Sequence, residues 1–176
     1  MTQISDVQRK FILHWGEMGN RWGINRTMAQ IHALLYLSPE PLDAEAIQHA
    51  LQVARSNVST CLRELQGWGV VRLVHVQGDR RDHFESLADV WELFRVVLEE
   101  RKRREIDPTL AILDECIAEA TAAGKPEAHT RKRLKAMRDF FTTATTWYQE
   151  VSRLPQPALK GFLRMGSKVR RLIKTG

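Results

Sequence analysis

Residues 42–84, LDAEAIQHALQVARSNVSTCLRELQGWGVVRLVHVQGDRRDHF, constrain the fold more than any other part of the chain. Two short helical patterns run into an alternating apolar strand, a Gly-Asp turn and a second strand. Asp43 is placed to cap a short helix through Ala50, with Ala46, Ile47 and Ala50 inward and Glu45 in the favourable first turn. After a turn at 51–53, a second helix has Val58, Leu62 and Leu65 spaced for burial beside Cys61. Its complementary face carries Ser56, Asn57, Ser59, Thr60 and Arg63. Helix, turn, helix and then a β-hairpin is the order of a head that reads double-stranded DNA, and it is not an enzyme pattern.

Gly67 and Gly69 are expected to end the second helix, and Val70, Val71, Leu73, Val74 and Val76 then read as strand. The turn Gln77-Gly78-Asp79-Arg80-Arg81 precedes a return strand from His83 and Phe84. Such a hairpin projects Arg80 and Arg81 toward phosphates or a neighbouring minor groove. Arg55, at the start of the second helix, is placed to hold a phosphate. The predicted DNA-binding set is therefore Arg55, Ser56, Asn57, Ser59, Thr60, Arg63, Arg80 and Arg81. An ordinary solvated helix face and a charged hairpin tip are the bland alternatives.

On the N-terminal side, Val7, Phe11, Ile12, Trp15 and Met18 recur at helical spacing over 5–18, while Gly16, Gly19 and Gly23 weaken its continuation and predict a break or tight connection around Gly19 to Gly23. Asn25 can cap a second helix that Ser38, Pro39 and Pro41 end. Beyond the hairpin, Val90 to Ile117 reads as one long helix or two collinear ones, redirected near Pro108. A connection at 120–127, a helix over 128–154 and a short basic helix over 159–176 follow. The fold class is thus mainly α with a small antiparallel β-wing: a winged helix-turn-helix over 25–89, an N-terminal helical segment over 1–24 and a helical region over 90–176. Val90, Trp91, Phe94, Val97, Leu110, Leu113 and Ile117 offer more apolar surface than such a head needs, so both flanks are assigned to a homodimer interface, with intramolecular core as the alternative.

The chain carries a net charge of +6, which suits an anionic partner. Residues 1–90, however, hold nine basic and ten acidic side chains, so the excess lies outside the head. Residues 55–81 restore a local positive surface, with five arginines against Glu64 and Asp79. Cys61 and Cys116 form no CxxC pattern, and the six histidines (14, 32, 49, 75, 83 and 129) have no metal-ligand cadence, so neither metal nor cofactor is expected. Gly16, Gly19 and Gly23 do not make a dinucleotide fingerprint. No run of about 18 apolar residues suggests a membrane span, and a reducing cytoplasm fits the isolated cysteines. Trp15, Trp22, Trp91, Phe140, Phe141, Trp147 and Tyr148 could supply an aromatic cage for a cationic effector, although aromatics at helical spacing usually form core.

ARSNVSTCLRELQGWGVV joined to VHVQGDRRDHFE, within Phe11 to Ile117, resembles the GbsR branch of the MarR-type transcriptional regulators. The resemblance implies a winged helix-turn-helix dimer, often a repressor; two heads about 34–36 Å apart could engage successive major-groove faces of a pseudo-palindromic operator. On that pattern RSNVSTCLREL corresponds to the recognition helix and GDRR to the wing. It further implies a small-molecule effector related to osmoprotectants such as choline, without locating its site. A constitutive architectural DNA binder without an effector is the competing expectation.

Overall fold

The structure is a computed structural model that describes residues 4–165, without the side chains of 162–164. It is mainly helical, with one three-stranded antiparallel sheet, and divides into two compact units, 1–97 and 98–176. The elements of the first unit are α1 (Asp6–Arg21), α2 (Arg26–Leu37), β1 (Leu42–Asp43), α3 (Ala44–Leu51), α4 (Arg55–Trp68), β2 (Val71–Val74), β3 (His83–Ser86) and the start of α5 (Val90–Arg101).

Local chemistry sets most of these boundaries. Ser5 and Gln8 form a reciprocal capping box at the start of α1. Asn25 accepts from the Met28 N–H at 3.1 Å, and Asp43 from the Ala46 N–H at 2.8 Å. Gln52 in the left-handed region (φ 56°) makes the tight α3–α4 turn, and Gly69 (φ 77°) ends α4. Gly67 lies inside the last turn of α4 and does not end it.

The core of this unit is built from Met28, Ile31, Leu34 and Leu35 of α2, Ile47 of α3, Val58, Leu62 and Leu65 of α4, and Val70, Val71 and Phe84 of the sheet region. Ile12 of α1 joins the same core, so α1 packs as part of the head. Expected to weaken at its glycines, α1 instead runs through Gly16 and Gly19 to Arg21, and Gly23 (φ 76°) marks the connection. Both inner glycines are buried against α2, where a Cβ at Gly19 would meet the Ala29 Cβ at 2.5 Å and one at Gly16 the Gln30 Cγ at 2.6 Å. The two sites should respond differently to alanine. At Gly19 two Cβ atoms attached to backbone collide, and overpacking exceeds the gain in helix propensity by about 1–2 kcal/mol. At Gly16 the clash is with a side-chain carbon that a χ1 change of Gln30 can relieve, so Gly16→Ala should cost less than Gly19→Ala. Urea unfolding of the two variants checks this.

The sheet order is β1-β3-β2, with Leu42 opposite Phe84, Asp43 opposite His83, and Leu73 opposite Phe84 on the other side. β1 has only two residues, too few for alternation to announce it.

In the second unit a π-helical turn, Lys102–Ile106, precedes α6 (Asp107–Ala122). Pro108 stands at the start of α6; its ring would collide with the carbonyl four residues back in a regular helix, and the wider turn accommodates it. The helix expected to be interrupted near Pro108 is thus adjusted and continues. Gly124 (φ 77°) and a 3₁₀ turn, Lys125–Glu127, reverse the chain into α7 (Ala128–Ser152), which packs antiparallel on α6. Arg138 of α7 is ion-paired with Asp114 of α6. α8 (Gln156–Arg164) covers the start of the predicted terminal helix, and residues 166–176 of that prediction lie outside the described residues.

Candidate nucleic-acid interface

α4 presents two faces. Val58, Cys61, Leu62 and Leu65 are buried, while Arg55, Ser56, Asn57, Ser59, Thr60 and Arg63 are all exposed. The side chains of Arg55, Ser56, Ser59 and Arg63 make no hydrogen bond or ion pair among the described residues, so their donors and acceptors are available to a partner. Ala54 at the N-cap contributes no side-chain acceptor, and the first turn holds no acidic residue. That end of the helix is therefore compatible with a phosphate.

Thr60 donates its hydroxyl proton to the Ser56 carbonyl at 3.0 Å. Asn57 is the most constrained member of the face, since its amide nitrogen donates to Thr27 Oγ1 and its oxygen accepts from the Cys61 thiol, both at 3.5 Å. Burial, with Glu64 adding to it, pushes the Cys61 thiol pKa up, so the sulfur stays protonated and acts as a weak donor.

At the hairpin, Arg80 and Arg81 differ in surroundings although they are adjacent. Arg80 is exposed and without a side-chain partner among the described residues. Arg81 is clasped: Nη1 lies 2.6 Å from Asp43 Oδ2 and Nη2 2.5 Å from Asp79 Oδ2. Hydrogen bonds from the Arg81 side chain and N–H hold the Asp79 carboxyl well below the usual carboxylate range. His83 is buried; its Nδ1 faces the Arg81 carbonyl at 3.0 Å and its Nε2 lies 3.6 Å from Asp79. Asp43 is buried too, and it both caps α3 and anchors the hairpin through Arg81. Arg72 is paired with Glu85 across the β2–β3 ladder at 2.5 Å.

Sequence reasoning found the outward face of α4 and the hairpin tip, and gave Asp43 its capping role. It missed the clasp. The only local signal for it was the Asp79-x-Arg81 spacing, which suits a turn in which an aspartate accepts from the N–H two residues on, as it does here at 3.0 Å. Of the aromatic side chains considered for a cage, Trp15 meets Trp22 edge-on at 5.7 Å in one unit, and Phe140 meets Phe141 at 5.7 Å in the other. Among the described residues no cluster of three or more potential metal ligands occurs, and no helix is long and apolar enough to cross a membrane.

No family model matches the chain, and no curated protein matches it in sequence. Among solved structures, the crystal structure of a transcriptional regulator superposes with a TM-score of 0.65 at 22% identity, covering 89% of this chain and 98% of that one. Weaker likenesses include Staphylococcus aureus MepR in its DNA-binding conformation (TM-score 0.38, 16% identity, 78% of this chain and 93% of that one) and NadR in complex with 4-hydroxyphenylacetate (TM-score 0.38, 16% identity, 88% and 97%). The first of these likenesses shows the fold: a winged helix-turn-helix with further helices.

Proposed function

We propose that this protein is a cytoplasmic, DNA-binding transcriptional regulator of the MarR type, in its GbsR-like branch, acting as a dimeric repressor at a pseudo-palindromic operator. One observation carries the reading: α4 presents an exposed polar face on which Arg55 and Arg63 are unpaired among the described residues, in the same compact unit as a hairpin whose tip holds Arg80, likewise unpaired among them. α4 enters the major groove, where Ser56, Asn57, Ser59, Thr60 and Arg63 meet base edges and Arg55 a phosphate. Arg80 reaches the backbone or minor groove, and Arg81 contributes by holding the hairpin.

Segments 1–24 and 90–176 supply the dimer contacts in this reading. Met137, Phe140, Ala144, Trp147 and Val151 of α7 follow a three-four spacing, and Met137, Phe140 and Trp147 are each more than half exposed. That spacing suits a second helix. Dimerisation would set two heads about 34–36 Å apart on successive major-groove faces. An osmoprotectant-type effector such as choline would regulate by binding one spacing of the heads better than another. Calorimetric titration with choline tests that part alone.

The test of the core reading is selection of genome fragments by the purified protein at several salt concentrations, followed by footprinting. A two-fold related site supports the operator-specific dimer; salt-sensitive binding without a preferred site favours the architectural binder. On a recovered operator, Arg63→Ala should weaken binding by about tenfold or more and relax sequence choice, while Arg80→Ala should weaken all duplexes alike and lower the salt dependence by about one phosphate. Unchanged titrations for both variants would remove these residues from the interface.

A further inference from the structure

The charge is distributed in a way the reading head does not explain. Residues 1–97 hold ten basic and eleven acidic side chains, a net charge of −1, residues 98–159 hold eleven and ten, and residues 160–176 hold six and none. Within the head, Arg72 and Arg81 are already neutralised by Glu85, Asp43 and Asp79. A head so nearly balanced has little long-range attraction for a polyanion.

Among the described residues the second unit contains two basic runs, and they meet different fates. In the first, Arg101 pairs with Glu105, Lys102 with Asp107, and Arg103 and Arg104 with the buried Glu100. In the second, RKRLK at 131–135, Lys132, Arg133 and Lys135 are exposed and Arg131 is half-buried, and none of the four has a hydrogen bond or ion pair among the described residues. Arg138, one turn on, is the member that Asp114 neutralises. Folding does not account for this run. Arg131 and Lys132 repel Lys135 at four- and three-residue spacing, so they cost stability.

We propose that Lys132, Arg133 and Lys135 of α7 form an auxiliary surface for the phosphate backbone of duplex DNA, separate from the α4 and hairpin contacts. Its role is sequence-independent. It adds to the salt-sensitive attraction that Arg55 and Arg80 give the head, and tethering a weak backbone contact to the head raises its local concentration and the overall affinity without adding specificity. Duplex DNA is the occupant because the head in the same chain reads duplex DNA; in that respect the inference rests on the proposed function.

The experiment compares the full chain with two triple variants, Lys132→Ala/Arg133→Ala/Lys135→Ala and Arg55→Ala/Arg63→Ala/Arg80→Ala, on a fluorescent duplex of unrelated sequence and on a selected operator. Titrations span about 50–300 mM salt, with thermal melts to establish folding and Lys132→Arg/Lys135→Arg as a charge-preserving companion. The α7 triple variant should lower the slope of log affinity against log salt by roughly 2–3 on both duplexes, and weaken both by about tenfold or more at low salt while keeping the operator preference. The companion should bind like wild type. An α7 variant with wild-type slope and affinity overturns the proposal, and if the head variant still loses binding, the head reading stands without it. Loss through the α7 variant with no loss through the head variant keeps the proposal and overturns the head reading. Phosphatidylserine vesicles form the last arm: binding to vesicles that the α7 variant loses, with DNA binding unchanged, makes the surface a membrane contact and overturns the DNA assignment.

Discussion

Replacing Asp43 with alanine should destabilise the fold by about 2–3 kcal/mol and weaken DNA binding by roughly tenfold, although Arg81 is the one member of the predicted DNA-binding set with which it pairs among the described residues. One carboxylate does two jobs. Oδ1 accepts the Ala46 N–H and so caps α3, which is worth about 1 kcal/mol. Oδ2 lies 2.6 Å from Arg81 Nη1 in an ion pair that fixes the hairpin against the start of α3. The Arg81 side chain is 57% exposed, so breaking the pair returns its guanidinium to water, and the loss stays well below that of an orphaned buried charge.

Asp43→Asn separates the two jobs, because the amide oxygen still caps while the charge is gone. It should recover about 1 kcal/mol of stability and little of the DNA affinity. Arg81→Ala should mimic the hairpin half alone, and the Asp43→Ala/Arg81→Ala double variant should lose less than the sum of the singles. Equal losses from Asp43→Ala and Asp43→Asn in urea titrations would mean that the cap contributes nothing; an additive double variant would mean that the clasp does not couple.

The second large effect is an acid destabilisation traced to His32. Its ring is 8% exposed in the α2 core, burial pushes its pKa down to about 4, and its Nε2 faces Ser86 Oγ of β3 at 3.2 Å. The Ser86 hydroxyl also donates to the Leu87 carbonyl at 3.3 Å, which leaves its lone pairs toward Nε2. In the unfolded chain this histidine titrates near its ordinary 6.5, so between pH 6.5 and 4 the unfolded state binds more protons than the folded one. Its contribution is complete above about pH 6.5, falls as the pH drops, and stops changing below about 4. The loss should reach about 2 kcal/mol at pH 5 and about 3 kcal/mol at the lower limit. His32→Gln, which offers Ser86 a hydrogen bond without a titrating group, should flatten the dependence between pH 7.5 and 5. A wild-type stability that is level over that range would exclude the effect.

Much of the head was legible because its determinants are local. Asn25 and Asp43 cap helices through N–H groups three residues away, Gly69 accepts the left-handed turn that ends α4, and Val58, Leu62 and Leu65 recur at the helical period. These features depend on neighbours along the chain, which a sequence displays directly. The outward face of α4 followed from the same periodicity. It also followed that Arg80 and Arg81 share a hairpin tip.

The roles of those two arginines were decided by tertiary structure. Whether an exposed-looking arginine is available depends on which carboxylates arrive beside it, and Asp43 reaches Arg81 across 38 positions through the pairing of β1 with β3. The fates of the two basic runs differ for the same reason: 101–104 find Glu100, Glu105 and Asp107, while 131–135 find none among the described residues. Gly16 and Gly19 read locally as helix weakeners, yet their missing Cβ atoms admit α2, and only the approach of that helix shows it. Sequence thus determined the elements and their buried faces, because backbone capping and apolar period are short-range. Tertiary structure decided which polar groups are neutralised and which are left for a partner, because opposite charges and close-packed surfaces meet across long stretches of chain.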